Sequence, residues 1–301
     1  MTRPHNRLPF EWPTWLVLSA CYAAWLGCVI GYASWGAWVI VPAVVCVALH
    51  SSLQHEALHG HPTRSAGLNE ALVYPAIGLF IPYRRYKETH LRHHNDTHLT
   101  DPYDDPESFY LAAGDFADQP AWKRALLHWN QSVLGRWVVG PPLALCGFWA
   151  DELRRLRAGE SRVRVAWYHH LAGVAIVLTV LWSNGVPLLG YVFLVAWPGM
   201  SLIMTRSFIE HRAAPGVAER TAVVEAGPVM SLIYLNNNLH AVHHRDPTLA
   251  WYALPARWRD DRAAVLDGNG HYLVSDGYWG VLKRWFLSHR EPVVHPYLRK
   301  D

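Results

Sequence analysis

His90-Leu91-Arg92-His93-His94 decides how the rest of the chain reads. The pattern returns as His240-Ala241-Val242-His243-His244, and a looser version, His55-Glu56-Ala57-Leu58-His59, precedes both. Residues three and four apart share a helix face, so each cluster is expected to aim its imidazoles at one point. Neutral imidazole is a good ligand for iron, copper, nickel and zinc. The three clusters hold eight histidines, more than one metal needs, and a polyhistidine two-metal site is the expectation. His211 is a ninth candidate, from its place just past the last apolar run. The other ten (His5, His50, His61, His98, His128, His169, His170, His271, His289 and His295) read as surface, interfacial or supporting groups.

The composition puts these clusters at a membrane. Hydrophobic residues make up 51% of the 301, charged residues 17%, and there are 16 Trp. That is too apolar for an ordinary soluble domain, while a mean hydropathy of +0.01 is too low for a wholly embedded one. A net charge of +3, with no basic stripe interleaved with aromatics, argues against nucleic acid as a partner. The four cysteines (Cys21, Cys28, Cys46, Cys146) lie in apolar runs without metal spacing and read as buried small hydrophobes with no disulfide.

From Trp12 to His55 there is no Asp, Glu, Lys or Arg. A bilayer core takes roughly 20 helical residues, so the run has twice the length of one span. Gly31-Tyr32-Ala33-Ser34-Trp35-Gly36 divides it into a hairpin with spans at 12–31 and 36–54. Val165–Thr205 is a second charge-free run of double length, divided at Ser183-Asn184-Gly185-Val186-Pro187 into spans at 165–183 and 186–206. Leu68–Tyr83, broken by Pro75 and Pro82, is expected to be interfacial or buried, and Gln131–Ala150 interfacial or re-entrant. The acidic loop Asp101-Pro102-Tyr103-Asp104-Asp105-Pro106-Glu107 reads as a lid or, more simply, a solvated turn. Arg3 and Arg7 precede an apolar run too long for a signal-peptide core, with no Ala-x-Ala site, so the N-terminus reads as an uncleaved first span.

The expected fold class is therefore all-α integral membrane: four transmembrane helices in two hairpins, with interfacial helices and a cytosolic histidine-rich cap. One domain, 1–301, is expected, the cap formed by 84–132 and 207–301. The hairpin tips carry no Lys or Arg, whereas segments 84–132, 151–164 and 206–301 carry nearly all of them. By the positive-inside rule those segments and both termini are cytoplasmic, which puts all three clusters on one side.

With these boxes in view, the chain resembles the membrane fatty-acid desaturase/hydroxylase superfamily. Its HxxxH-type box is matched by His55/His59 and its two HxxHH boxes by His90/His93/His94 and His240/His243/His244. Its further histidine on the last span, some 30 residues before the third box, is matched by His211. Asn95-Asp96-Thr97-His98 and Ser207-Phe208-Ile209-Glu210-His211-Arg212 are similar to bacterial members. The resemblance implies a cofactor of two iron ions (Fe2+) held by these nine histidines, with O2 as co-substrate. It further implies a lipid or acyl-chain substrate, free or carrier-bound. No dinucleotide, haem or iron–sulfur motif is fused to the chain, so a separate electron donor such as ferredoxin or rubredoxin, with its reductase, is implied. Stearoyl-type members carry Asn one turn before the last-span histidine; Ser207 stands there, which argues against the acyl-CoA subgroup. Glu56, Asp96, Ser207, Glu210, Asn237 and Asp246 are near enough to the histidines in sequence to support them, since ligand imidazoles need their other nitrogen held.

The function expected is an O2-dependent desaturase forming a double bond in a fatty-acyl or similar alkyl chain at the cytoplasmic (inner) membrane; hydroxylase, ketolase and acetylenase activities share the same machinery. His55-Glu56-Ala57-Leu58-His59 also fits the HExxH pattern of zinc metalloproteases, and Leu266-Asp267-Gly268 resembles the Leu-Asp-Gly of membrane-embedded ones. That reading leaves both HxxHH boxes idle and places Asp267 in a polar turn. A metal transporter would need ionisable groups inside the spans, where almost none occur.

Overall fold

The computed structural model describes residues 8–297. Pro13 lies in the first turn of α1 (Trp12–Trp35), where its missing N–H leaves no helical bond unmade. Gly36, at φ 54°, ends that helix, and a 3-10 turn (Gly36–Val39) leads into α2 (Ile40–Leu58). The two fold back on each other: Cys21 Sγ donates to the Cys46 carbonyl at 3.4 Å, and the Tyr22 hydroxyl lies 2.9 Å from His50 Nε2. Ser65 caps α3 (Ala66–Leu72), its hydroxyl accepting from Leu68 N–H. Next comes α4 (Tyr83–His94), which carries the second cluster, then the short α5 (Ala113–Ala117), α6 (Ala121–Trp129) and α7 (Val133–Val138).

The longer α8 (Gly140–Arg157) and α9 (Ser161–Ser183) lead to a helical run that opens as α10 (Leu188–Tyr191), passes through a π turn at Val192–Ala196 and continues as α11 (Trp197–Glu210). The π turn has a cause. Pro198 cannot donate, and its ring crowds the carbonyl four residues back; a widened turn just before it accommodates both. Beyond α11 lie β1 (Val223–Val224), α12 (Pro228–Ile233), α13 (His240–Arg245), α14 (Leu254–Gly268), β2 (Leu273–Val274) and α15 (Gly277–Trp285).

The chain forms two compact units that alternate along the sequence. The first comprises the residues through Lys87, Pro141–Ile203 and Ile233–Leu235. Among the described residues, Trp12–Leu58, Ser161–Ser183 and Leu188–Glu210 are long and apolar enough to cross a membrane, and only 39%, 28% and 33% of their most apolar windows are buried. Apolar helices with most of their surface facing outward belong in lipid. This is a membrane protein.

Between α3 and α4 the backbone is irregular, yet Val73, Ala76 and Ile77 are buried. Side chains from other helices of the unit take its carbonyls: Tyr22 OH donates to Leu72 O at 3.0 Å, Tyr191 OH to Ile77 O at 2.8 Å, His170 Nε2 to Leu79 O at 2.9 Å and Trp149 Nε1 to Phe80 O at 3.2 Å. Non-helical backbone in apolar surroundings survives only with such partners. Arg85 Nε sits 2.9 and 3.0 Å from the two carboxylate oxygens of Glu152, which also accepts from Trp167 Nε1. Both side chains of this pair are buried.

The second unit comprises Glu88–Gly140, Met204–Leu232 and Asn236 onward. It contains a departure from the all-α expectation: β1 and β2 pair in parallel, Val223 opposite Leu273 and Val224 opposite Val274. Val223, Leu239, Val242, Leu249, Leu254 and Trp258 form the core beneath α13 and α14. Leu266-Asp267-Gly268 closes α14 instead of forming a turn, and Asp267 is three-quarters exposed beside His271. Cys146, expected buried, is exposed. Gln131–Ala150 holds α7 and the start of α8, neither of which has the length and composition of a span.

Removing one member of a buried ion pair costs about 3–5 kcal/mol. Glu152→Gln is therefore expected to lower the detergent-solubilised melting temperature strongly, while Glu160→Gln, at an exposed pair, stays within about 0.5 kcal/mol of the parent. Differential scanning calorimetry of both variants is the check.

Candidate metal centre

In the first unit, α2 carries His55 and Glu56 in its last turn and His59 just past its end, with the two imidazole centroids 4.8 Å apart. The other seven candidate ligands all lie in the second unit, on α4, just after α11, and on α13. There the one-point expectation fails, because helical geometry divides each box. At about 100° per residue, positions i and i+4 differ by about 40°, while i+3 and i+4 are about 100° apart. His90 and His94 therefore face one way and His93 another; His240 and His244 face one way and His243 another.

The result is two sets. His93, His211, His240 and His244 bring their ligand nitrogens within 4.8 Å of one another. His240 Nε2 lies 3.0 Å from His211 Nε2 and 3.1 Å from His244 Nε2. In the other set His94 Nε2 lies 3.0 Å from His90 Nε2 and 3.1 Å from His243 Nε2. Each HxxHH box contributes to both sets.

Four of the outward nitrogens are held. Asp105 Oδ1 takes His93 Nδ1 at 2.8 Å, Glu107 Oε1 takes His90 Nδ1 at 2.9 Å, and the Arg220 carbonyl lies 3.3 Å from His211 Nδ1. His240 Nδ1 is 3.0 Å from Asn237 Oδ1 and 3.2 Å from Glu210 Oε1. Asp105 also accepts from the Thr100 and Glu107 N–H groups. The acidic loop is thus more than a solvated turn: it supplies the two carboxylates that orient the second box. Nothing in its periodicity announced this; a carboxylate-rich, proline-braced loop directly after a histidine box was the available signal. Of the other supporting candidates, Asp96 accepts from His98 N–H, Ser207 donates to the Met204 carbonyl, and Asp246 faces Arg257.

A metal fits the four-histidine set on two observations. His93 Nε2 is buried with no hydrogen-bond partner among the described residues, although its Nδ1 is held and its ring packs at 4.9 Å on His211 and 5.1 Å on His244. The charge pattern agrees. Burial, then the His93 charge, push His211 down to about 3. Burial and the neighbouring imidazoles hold His240 and His244 well below the ordinary histidine value. At His93 burial opposes the charge, but Glu107 and the hydrogen-bonded Asp105 outweigh it and raise the group to about 9. At neutral pH three imidazoles are ready donors and one carries a proton that a cation must displace.

The class is thus a helical membrane protein with clustered metal-binding histidines. The sequence model for fatty acid desaturase matches residues 31–275, a stretch containing all three boxes and His211. The chain belongs to the fatty acid desaturase family. Among curated proteins no match is found. Family and histidine clusters together make this a desaturase- or hydroxylase-type oxidoreductase, associated with the membrane and acting on lipid.

The sign of the pH dependence follows from His93. Its raised pKa stabilises the metal-free fold fully below about 6.5, and that contribution fades as pH rises through about 9. Metal binding runs the other way: affinity is expected to climb about tenfold per pH unit from 7 towards 9, as the His93 proton becomes easier to remove. Chelator competition at pH 7, 8 and 9 measures it. In Asp105→Asn the slope should flatten, and an unchanged slope would deny Asp105 its part.

Proposed function

We propose that this protein is an O2-dependent desaturase that inserts a double bond into a fatty-acyl or similar alkyl chain at the cytoplasmic face of the membrane. The observation that carries the reading is the four-imidazole set of His93, His211, His240 and His244, with the buried, unengaged Nε2 of His93. On this reading these four hold one iron. His90, His94 and His243 are the proposed ligands of a second, and His55 and His59 of the first box are further proposed iron ligands. When bound, the two irons supply with O2 the oxidising power that removal of hydrogen from an unactivated C–H bond requires.

The chain's own residues set the conditions for that chemistry. Asp105, Glu107, Asn237 and the Arg220 carbonyl fix ring orientation, so that each Nε2 is presented without a search through rotamers. His93 and His240 are buried and His211 and His244 partly so, which limits the access of water to the cluster. Asp105 and Glu107 add negative charge next to the imidazoles, which favours a bound cation. Four spans in two hairpins, both termini cytoplasmic, and one domain with a cap built from 84–132 and 207–301 complete the arrangement we infer. The charge-free hairpin tips and the basic segments between them support it. Electrons come from a separate ferredoxin- or rubredoxin-type protein with its reductase. The protease reading loses its third ligand, because Asp267 is exposed on α14.

Metal analysis of detergent-purified protein, together with mass spectrometry of lipids and acyl carriers from expressing cells, tests the proposal. Two irons per chain and a product lighter by two hydrogens are expected. A product heavier by one oxygen makes the enzyme a hydroxylase, whereas one zinc with no lipid change overturns the reading. His211→Ala should lose at least about 100-fold in turnover together with metal, and Glu56→Gln should impair turnover without abolishing it.

A further inference from the structure

The residues after β2 lie beyond the stretch matched by the family model, yet they run back to the metal centre within the second unit. Around Val294 the chain makes an isolated parallel bridge to Leu111: Leu111 N–H donates to Val293 O at 2.9 Å and His295 N–H to Leu111 O at 2.9 Å. This strap delivers two side chains. His295 is buried. Its Nδ1 accepts from Tyr297 N–H at 3.2 Å, so its Nε2 carries the proton and donates to Thr100 Oγ1 at 3.0 Å. Thr100 in turn donates its backbone N–H to Asp105 Oδ2 at 2.8 Å, and Asp105 Oδ1 holds His93 Nδ1.

Thr100 stands at φ 71°, a conformation that a β-branched residue adopts only under constraint. That conformation is what turns its N–H towards Asp105. Arg290, the second side chain, donates to the Phe208 and His211 carbonyls and to the Tyr272 hydroxyl, while Tyr272 OH donates to Ile209 O. Carbonyls at a helix C-terminus have no partner within the helix, and a guanidinium there also complements the helix dipole. Arg290 therefore fixes the end of α11 from which His211 projects.

We infer that the C-terminal strap is a positioning device for the four-histidine set, with His295 acting through Thr100 and Asp105 on His93, and Arg290 acting through the end of α11 on His211. The inference rests on the metal-centre reading above. Neither residue touches substrate; each sets where a ligand nitrogen stands.

The test is iron affinity and the iron spectrum (Mössbauer or near-infrared circular dichroism) of the full chain in detergent, with folding checked by gel filtration. His295→Ala should bind one of its two irons about 10–100-fold more weakly and change the spectrum of one iron alone. His295→Gln, which keeps a donor within reach of Thr100, should recover most of both. A folded His295→Ala protein with two irons at parental affinity and an unchanged spectrum overturns the inference. If that variant does not fold, Thr100→Gly carries the test, because glycine takes φ 71° freely and removes the hydroxyl. It should weaken binding of one iron about 10–100-fold, and a folded Thr100→Gly protein with two irons at parental affinity overturns the relay. A parent protein that binds no iron removes the metal-centre reading itself, and the inference with it, which is a different result from a parent with two irons and indifferent variants.

Discussion

An imidazole presents one nitrogen to a metal reliably only while its other nitrogen is held, and the Asp105–His93 hydrogen bond is where this structure meets that constraint most fully. Asp105 is buried, and an unpaired buried carboxylate would be costly. It accepts from His93 and from the Thr100 and Glu107 N–H groups, and these bonds keep its carboxyl below the ordinary range despite burial. The loop around it is built for that task. Asp101 accepts from the Tyr103 and Asp104 N–H groups, and Ser108 donates to the Thr100 carbonyl. Holding Thr100 in the left-handed region costs of order 1–3 kcal/mol, an expense that makes sense only if the direction of its N–H matters.

The same logic explains why α13 can be so short. Six residues, His240–Arg245, form no stable helix alone. Ala241 N–H donates to Ala222 O, Val224 N–H donates to Asn238 O, and Asn238 Nδ2 returns a bond to Val224 O at 2.7 Å. The β1 segment thus clamps the approach to α13, while Val242 and Leu239 anchor it in the core. A short helix, fixed at its start and by its buried face, then suffices to send His240 and His244 to one set and His243 to the other.

How much of this was legible in the sequence depends on the range of the signal. The histidine boxes are local: their spacing is covalent and their helical phase follows from 3.6 residues per turn, so both sets were present in the chain before folding. Reading each box as aimed at one point ignored the roughly 60° between i and i+3. Charge-free runs announced the apolar helices for an equally local reason. Asp105 and Glu107 were not legible, because a loop has no period and its partners lie 12 and 17 residues away. Asn237 lies three residues from His240, while Glu210, suggested by its place beside His211, stands against His240. Ser207 illustrates the limit: its position suggested a polar contact towards the centre, but a hydroxyl in a helix can turn back to its own backbone, and here it donates to Met204 O.

The irregular segment before α4 and the strap after β2 share a property that sequence patterns do not record. Each is tied to distant positions by side chain-to-backbone bonds: Tyr191 and His170 take the Ile77 and Leu79 carbonyls of the segment, and Arg290 of the strap takes the Phe208 and His211 carbonyls at the end of α11. Such bonds link 79 to 114 positions of sequence, and no local propensity encodes them. They matter because a cluster of buried imidazoles is itself destabilising until a cation joins it. Like groups crowd together, and His93 Nε2 is left without a hydrogen bond. A scaffold that depended on the metal for its shape would be lost with the metal. One braced by hydrogen bonds made elsewhere can keep its ligands poised, so that binding energy goes into holding the ion and not into ordering the loop around it.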